Sequence, residues 1–165
     1  PTKEQLTEIV NKIKERGDRG ERMTDNDLLN IARSVIGEPV QVAKIIELEE
    51  LAVMTGSKVT PTASVTVVLD KKLFSSAETG VGPVDAAMRA IQKITGDVIN
   101  VKLKEYRLEA LTGGSDEVAE VEIRVEDKEG NVASAKAAGE DIVMASVEAM
   151  LSGINTLLLK GKKSL

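Results

Sequence analysis

Apolar residues near the start of the chain recur three and four positions apart, which is the spacing of amphipathic helices. This spacing predicts a first helix over residues 3–16 that ends at Gly17. A second helix is predicted to begin at Thr24, with Asp27 at the reciprocal position of a capping box. Gly37 is the expected end of that helix.

The helical pattern breaks at residues 38–39, where a glutamate precedes a proline. We therefore expect a helical linker subdomain over residues 1–38 and a larger domain over residues 39–165. Two helices this short bury little of their own apolar surface, so they are expected to pack against a larger unit.

From about residue 45 the apolar spacing changes to the alternation of β-strands. Residues 62–69 alternate most clearly, and residues 51–55 form an earlier strand of the same kind. Asp70-Lys71-Lys72 is the predicted hairpin into a third strand over residues 73–78. A glycine turn and a helix follow, so the order is strand, strand, strand, helix.

The same order then recurs. The segment LAVMTG at residues 51–56 matches LEALTG at residues 108–113, and Gly139 matches Gly80. Internal similarity at a nearly fixed offset is the signature of a duplicated structural unit. The sequence therefore predicts an α+β fold in which a β-β-β-α unit is duplicated with pseudo-two-fold symmetry.

The turn Gly80-Val81-Gly82-Pro83 joins the third strand to its helix, which is predicted to end at Gly96. Residues at helical spacing give this helix one apolar face, namely Val84, Ala87, Met88, Ile91 and Ile94. Both glycines can take positive φ, and we expect them to leave room above the backbone. Free N–H groups at a helix N-terminus suit an anion, although a plain turn into a core helix explains the same pattern. Asp85 occupies the third glycine position of a dinucleotide fingerprint, which excludes that motif.

The corresponding turn of the second repeat, Gly139-Glu140-Asp141-Ile142, is typical of an aspartate N-cap. The first turn is therefore the more open of the two. A further glycine-rich corner at residues 112–116 has the composition of an ordinary hairpin loop.

Composition narrows the possible chemistry. The chain has no histidine and no cysteine, which removes the commonest general base, transition-metal ligand and thiol nucleophile. A net charge of −5 argues against a nucleic-acid partner. We expect no membrane span and no signal peptide, and a cytoplasmic location. The chain opens on Pro1 instead of Met, which hints at a piece of a longer protein.

Three motifs in the same order resemble the C-terminal regulatory domain of the 2-isopropylmalate synthase family, which citramalate synthases share. They are the Gly-x-Gly-Pro-Val-Asp-Ala turn at residue 80, Thr-Gly-Gly-Ser-Asp at residue 112, and residues 141–155 from Asp-Ile to Gly-Ile-Asn. The helices at residues 1–37 resemble the linker subdomain that precedes this domain. The family's catalytic barrel, with its divalent-metal site, is absent from this chain, so no cofactor is expected here.

The resemblance implies feedback regulation by an end-product amino acid. The parent enzyme condenses acetyl-CoA with 2-oxoisovalerate for leucine synthesis, or with pyruvate to form citramalate. Leucine or isoleucine would bind this domain and lower activity in the barrel, and the domain would pair as a homodimer. The effector positions implied by the family are Gly80, Gly82, Pro83, Val84, Asp85, Leu103, Tyr106, Ala110 and Ile142, with Ala119 as an addition.

The chemistry of the residues in these motifs is compatible with an amino-acid ligand. The helix N-terminus suits its carboxylate, and Asp85 or Asp141 suits its ammonium group. Asp141 as a helix cap alone, and Tyr106 as a core aromatic, remain alternatives. A structural dimerisation module without ligand and a free-standing enzyme are competing functions, although the missing histidine and cysteine argue against the enzyme.

Overall fold

The computed structural model describes residues 1–37, 44–111 and 118–162. The chain divides into two compact units, residues 1–43 and residues 44–165. The predicted boundary between residues 38 and 39 lies outside the described residues and stays a prediction. The elements are α1 (Lys3–Asp18), α2 (Asp25–Ile36), β1 (Ile46–Met54), β2 (Thr62–Leu69), β3 (Lys72–Thr79), α3 (Pro83–Thr95), β4 (Val101–Leu111), β5 (Val118–Asp127), β6 (Val132–Gly139) and α4 (Ile142–Lys162).

The first unit is a pair of helices. Thr24 caps α2 in a complete capping box with Asp27, and Gly37 ends the helix in the left-handed conformation, as the sequence predicts. The predicted end of α1 at Gly17 is wrong, because the helix continues through Asp18. The left-handed glycine that follows α1 is Gly20, with φ +76°.

The second unit confirms the duplicated fold. Each repeat forms a three-stranded antiparallel sheet, in the orders β1-β2-β3 and β4-β5-β6, and each sheet is followed by its helix. A register irregularity occurs at the same place in the first strand of each repeat, between Leu48 and Glu50 in β1 and between Leu103 and Glu105 in β4. The two repeats therefore match in local detail as well as in element order.

The core of this unit is aliphatic. Small residues on the helices allow close packing: a Cβ added to Gly153 of α4 would lie 2.9 Å from Val125 of β5. α3 packs on β2 and β3, whereas α4 packs on β5 and β6 and also contacts β1. The two aromatic residues, Phe74 and Tyr106, are exposed.

Asn155 ties α4 to the first repeat. Its Oδ1 accepts hydrogen bonds from the backbone N–H groups of Ile45 and Ile46, at 2.8 and 2.9 Å, and its Nδ2 donates to the Ile46 carbonyl at 2.8 Å. Asn155 and Ile46 are buried and Ile45 is half-buried, so these bonds satisfy backbone groups that water reaches poorly. The start of β1 is therefore held directly by the helix of the other repeat.

Among the described residues, one helix has the length and apolar composition to span a membrane. It is α4, over Ile142–Gly161. Of its most apolar stretch, 61% is buried inside the protein. This burial identifies α4 as the central core helix of the unit.

Candidate functional site

The turn before α3 places its two glycines in different surroundings. A Cβ added to Gly80 would lie 2.5 Å from the backbone nitrogen of Ala86, whereas one added to Gly82 would meet nothing within 4 Å. Neither glycine is among the described residues with positive φ, and Gly82 is extended at φ −157°. The positive φ that both glycines can take is therefore not used at either position. The expected room above the backbone is present at Gly82 but not at Gly80, where the absence of a side chain allows close packing.

Asp85 lies in the first turn of α3 and folds back onto the glycine turn. Its Oδ2 accepts the Val81 N–H at 3.0 Å and lies 3.0 Å from Nε of Arg89. One turn amide that we expected to be available for an anion is therefore occupied by the chain's own carboxylate. The Asp85 side chain remains about a third exposed, at 36%.

An open groove of about 630 Å³ runs between α3 and β4. Four residues of the predicted effector site line it together, and three further residues complete the lining. The predicted four are Val84, Asp85, Leu103 and Tyr106, and the others are Met88, Gln92 and Lys102. Apolar side chains form most of its surface, with an acid near the start of α3 and an amide and a lysine farther along. This arrangement suits a small ligand with an aliphatic part and a charged part.

The groove is open because the inner face of β4 is uncovered. Leu103 pairs with Val125 and Tyr106 with Ile123, so each shares a face with a residue of the core. Leu103 and Tyr106 are nevertheless 36% and 37% exposed. The inner side chains of β1, the matching strand of the first repeat, are half-buried against the core at Leu48, Leu51 and Val53.

Tyr106 links the groove to the start of α4. Its hydroxyl lies 2.8 Å from Oγ of Ser146, which in turn donates to the Ile142 carbonyl at 2.7 Å. The alternative of Tyr106 as a core aromatic does not hold, because its side chain is exposed in the groove. Ile142 thus lies next to the hydrogen-bond chain that leaves the groove, and its own side chain is exposed.

Asp141 caps α4. Its Oδ1 accepts the N–H groups of Val143 and Met144, at 2.9 and 3.1 Å. This is the geometry expected of the cap, and the carboxylate is exposed to solvent. Its further role as an ammonium partner stays a prediction.

The remaining predicted positions lie outside the groove lining. Ala110 and Ala119 face each other across β4 and β5. Gly80, Gly82 and Pro83 form the turn and first residue that precede the groove. The corner at residues 112–116 lies outside the described residues. The effector assignment of all these positions stays a prediction.

Met88, Gln92 and Lys102 are groove residues that the sequence analysis did not assign to the site. Val84, Met88 and Gln92 follow one another at four-residue spacing, so they form one stripe along α3. Met88 was expected on the apolar face of the helix, and that spacing was the signal that could have placed it in the groove.

Ionisable groups provide little sign of acid–base chemistry. In the described part of the chain, no three acidic side chains come close enough together to hold a metal ion. At the β5–β6 hairpin, slight burial raises the pKa of Asp127, but hydrogen bonds from Asn131, Glu129 and Gly130 outweigh it and lower that pKa below 3.8. This aspartate orders a hairpin and lies outside the groove.

The family model of the LeuA allosteric (dimerisation) domain matches residues 22–158. The chain belongs to this family. Over 157 residues it is 55% identical to a probable 2-isopropylmalate synthase of Methanopyrus kandleri, covering 94% of the chain and 32% of that relative. The 2-isopropylmalate synthase of Methanocaldococcus jannaschii is 48% identical, over 98% of the chain and 30% of the relative.

Members named as citramalate synthases also match. A putative (R)-citramalate synthase of Methanopyrus kandleri is 43% identical, over 95% of the chain and 31% of the relative. The chain thus spans about a third of the length of the curated relatives it matches. Its family is that of the regulatory domain of these synthases, which confirms the resemblance to this family.

Proposed function

We propose that this chain is the regulatory domain of a 2-isopropylmalate synthase and that leucine binds in the groove between α3 and β4. The parent enzyme would condense acetyl-CoA with 2-oxoisovalerate in the cytoplasm, and bound leucine would inhibit it. The observation that carries the proposal is the groove itself, in which Val84, Asp85, Leu103 and Tyr106 come together from two elements.

The groove offers each part of an amino acid a suitable neighbour. The free face of the Asp85 carboxylate suits the ammonium group, by a charge-assisted hydrogen bond. The first turn of a helix leaves backbone N–H groups without helical acceptors, which suits the carboxylate near the start of α3. Val84 and Leu103 provide apolar surface for the aliphatic side chain.

Catalysis would belong to the rest of the parent enzyme. This chain has no histidine, so the metal-binding barrel of the parent must supply its own ligands. We expect the purified chain alone to release no free CoA from acetyl-CoA and a 2-oxo acid in the presence of divalent metal.

A homodimer is part of the proposal. The family description names dimerisation, and the uncovered inner face of β4 presents Leu103, Tyr106 and Leu108 to solvent. Apolar surface of this kind is common where two subunits meet. Light scattering is expected to give twice the chain mass of 17.6 kDa, and a monomer at high concentration would contradict this part.

The second candidate is the regulatory domain of a citramalate synthase that binds isoleucine. The relatives named as citramalate synthases at 42% and 43% identity favour keeping it. Apolar pockets discriminate between such isomers by roughly 1–3 kcal/mol, so one titration separates the two candidates. A dimerisation module without ligand is the third.

Calorimetric titration of the chain with leucine, isoleucine and valine tests the proposal. We expect leucine to bind most tightly and to raise the melting temperature, because a ligand that binds only the native state adds roughly 2.7 kcal/mol at a hundred times its dissociation constant. Tightest binding of isoleucine would favour the citramalate candidate. No binding of any of the three would leave the dimerisation module.

A further inference from the structure

The α3 side of the groove lining changes along the helix from an acidic residue to an apolar stretch and then to an amide. Asp85 lies near its start, and Gln92, seven residues farther on, lies about 10 Å away along the helix axis at 1.5 Å per residue. Gln92 is also tied to β4, because its Nε2 donates to the Val101 carbonyl at 3.1 Å. Between these polar ends the α3 side of the groove is apolar.

Met88 occupies the middle of this apolar stretch. It lies one helical turn after Val84 and three residues after Asp85, which is about 4.5 Å along the axis. Its side chain is only 5% exposed although it lines the groove, so it forms the floor. Leu103 contributes from β4 and is more exposed, which places it toward the rim.

The size of a branched-chain amino acid matches the distance to Met88. In leucine the ammonium nitrogen and the terminal methyl carbons are about 5 Å apart in an extended conformer, by standard bond lengths. A ligand whose ammonium group lies on Asp85 and whose side chain runs along α3 would therefore reach Met88 with its methyl groups. It ends well short of Gln92.

We propose that Met88 is the specificity-determining residue of the groove and sets the length and branching of the aliphatic side chain that it accepts. This inference rests on the proposed function. The methionine closes the groove beneath a side chain branched near its end. Without the methionine side chain, the floor lies deeper and admits a longer, unbranched side chain.

The test is a titration of the full chain and its variants with leucine and norleucine, which have the same number of carbon atoms. We expect the wild type to prefer leucine. In Met88→Ala the affinity ratio of norleucine to leucine is expected to rise at least ten-fold, within the range that apolar pockets reach for one methylene. Met88→Val leaves a smaller void and is expected to shift the affinity ratio in the same direction by a smaller factor. If the alanine variant does not fold, the valine variant tests the role of Met88.

Met150→Ala is the matched control. Met150 is a fully buried methionine of α4 that does not line the groove. Its truncation opens a cavity in the same core, so it is expected to lower stability while the norleucine-to-leucine ratio stays within two-fold. Circular dichroism checks the fold of every variant.

The outcomes separate this inference from the proposed function. If the wild type binds leucine and a folded Met88 variant keeps the wild-type ratio within two-fold, the role of Met88 is wrong and the proposed function stands. If Met150→Ala shifts the ratio as far as Met88→Ala does, the role of Met88 is also wrong. If the wild type binds neither amino acid, the proposed function fails and this inference fails with it.

Discussion

At the scale of single residues, the turn before α3 contains one glycine that packing requires and one that it does not. We expect Gly80→Ala to destabilise the chain by about 1–3 kcal/mol, because its Cβ would collide with the backbone of Ala86 and displace the start of α3. Gly82→Ala is expected to cost less than Gly80→Ala. Its site is open and the unfolded chain loses freedom, which offsets part of the penalty for alanine at the N-cap of α3. Urea unfolding of both variants measures the difference, and equal stabilities would contradict it.

The open surroundings of Gly82 also make it a clean probe of ligand binding. In Gly82→Asp the new carboxylate has room, and aspartate is a favoured N-cap, so the fold is expected to survive. The added charge would bond the first N–H groups of α3 and repel the carboxylate of a bound amino acid. We therefore expect leucine binding to be lost in calorimetric titration.

Glu140→Ala is the control for Gly82→Asp. Glu140 lies in the corresponding turn of the second repeat, and its removal is expected to leave the affinity for leucine within a few fold. The assignment of the effector to the first turn is wrong if folded Gly82→Asp binds like the wild type. It is equally wrong if Glu140→Ala loses binding completely.

At the scale of elements, Asn155 has the largest expected effect on stability. Asn155→Ala removes three hydrogen bonds to β1 and leaves two N–H groups and a carbonyl without those partners. Unsatisfied buried groups cost about 1–3 kcal/mol each, so we expect a loss of at least 2 kcal/mol in chemical denaturation. Asn100→Ala, at an exposed position, is the control and is expected to change stability by less than about 0.5 kcal/mol.

The hairpin between β5 and β6 depends on pH through Asp127. Because the pKa of Asp127 is lower in the folded chain than its ordinary value of 3.8, its carboxylate stabilises the native state above that pH. This stabilisation is lost as the pH falls through the lowered pKa. Asp127→Ala is therefore expected to be less stable than the wild type at pH 7, with the difference narrowing below pH 3.8.

Asp127→Asn separates charge from hydrogen bonding in that experiment. The amide oxygen can still accept the N–H groups of Glu129 and Asn131, so this variant is expected to lose less stability at pH 7 than the alanine variant. A difference between Asp127→Ala and the wild type that does not change with pH would show that the charge contributes nothing.

The helices and strands were predictable from the sequence where the spacing of apolar residues keeps one period without interruption. The strict alternation of residues 62–69 predicts β2, and the helical spacing after Pro83 predicts α3. The inward-facing residues of β4 were harder to predict, because the register irregularity between Leu103 and Glu105 changes which residues face inward. Val101 and Leu103 lie on the inner face before it and Tyr106, Leu108 and Ala110 after it.

The site was predictable only in part for a related reason. Resemblance brought Val84, Asp85, Leu103 and Tyr106 into one list, but local pattern does not tell which helix covers which strand. α4 contacts β1 of the other repeat whereas the inner face of β4 stays exposed, and a motif does not encode that difference. The position of Met88 in the groove likewise depends on the neighbouring strand.

At the scale of the whole second unit, the two repeats meet at two corresponding junctions, and only one of these junctions is closed. The junction of α4 and β1 is closed by aliphatic packing and by the three bonds of Asn155. The junction of α3 and β4 contains the bond from Gln92 to Val101 and the open groove. One junction is thus closed, and the other is open to solvent where we propose that leucine binds.

This inequality predicts one leucine bound per chain instead of two. Titration calorimetry gives the stoichiometry, with the protein concentration taken from amino-acid analysis because a single tyrosine and no tryptophan make absorbance weak. We expect a ratio near one per chain that does not change in Glu140→Ala. A ratio near two would mean that the junction of α4 and β1 opens to ligand, and Asn155→Ala would then be expected to raise occupancy of that second site. A ratio near one-half would instead indicate that two chains share one leucine.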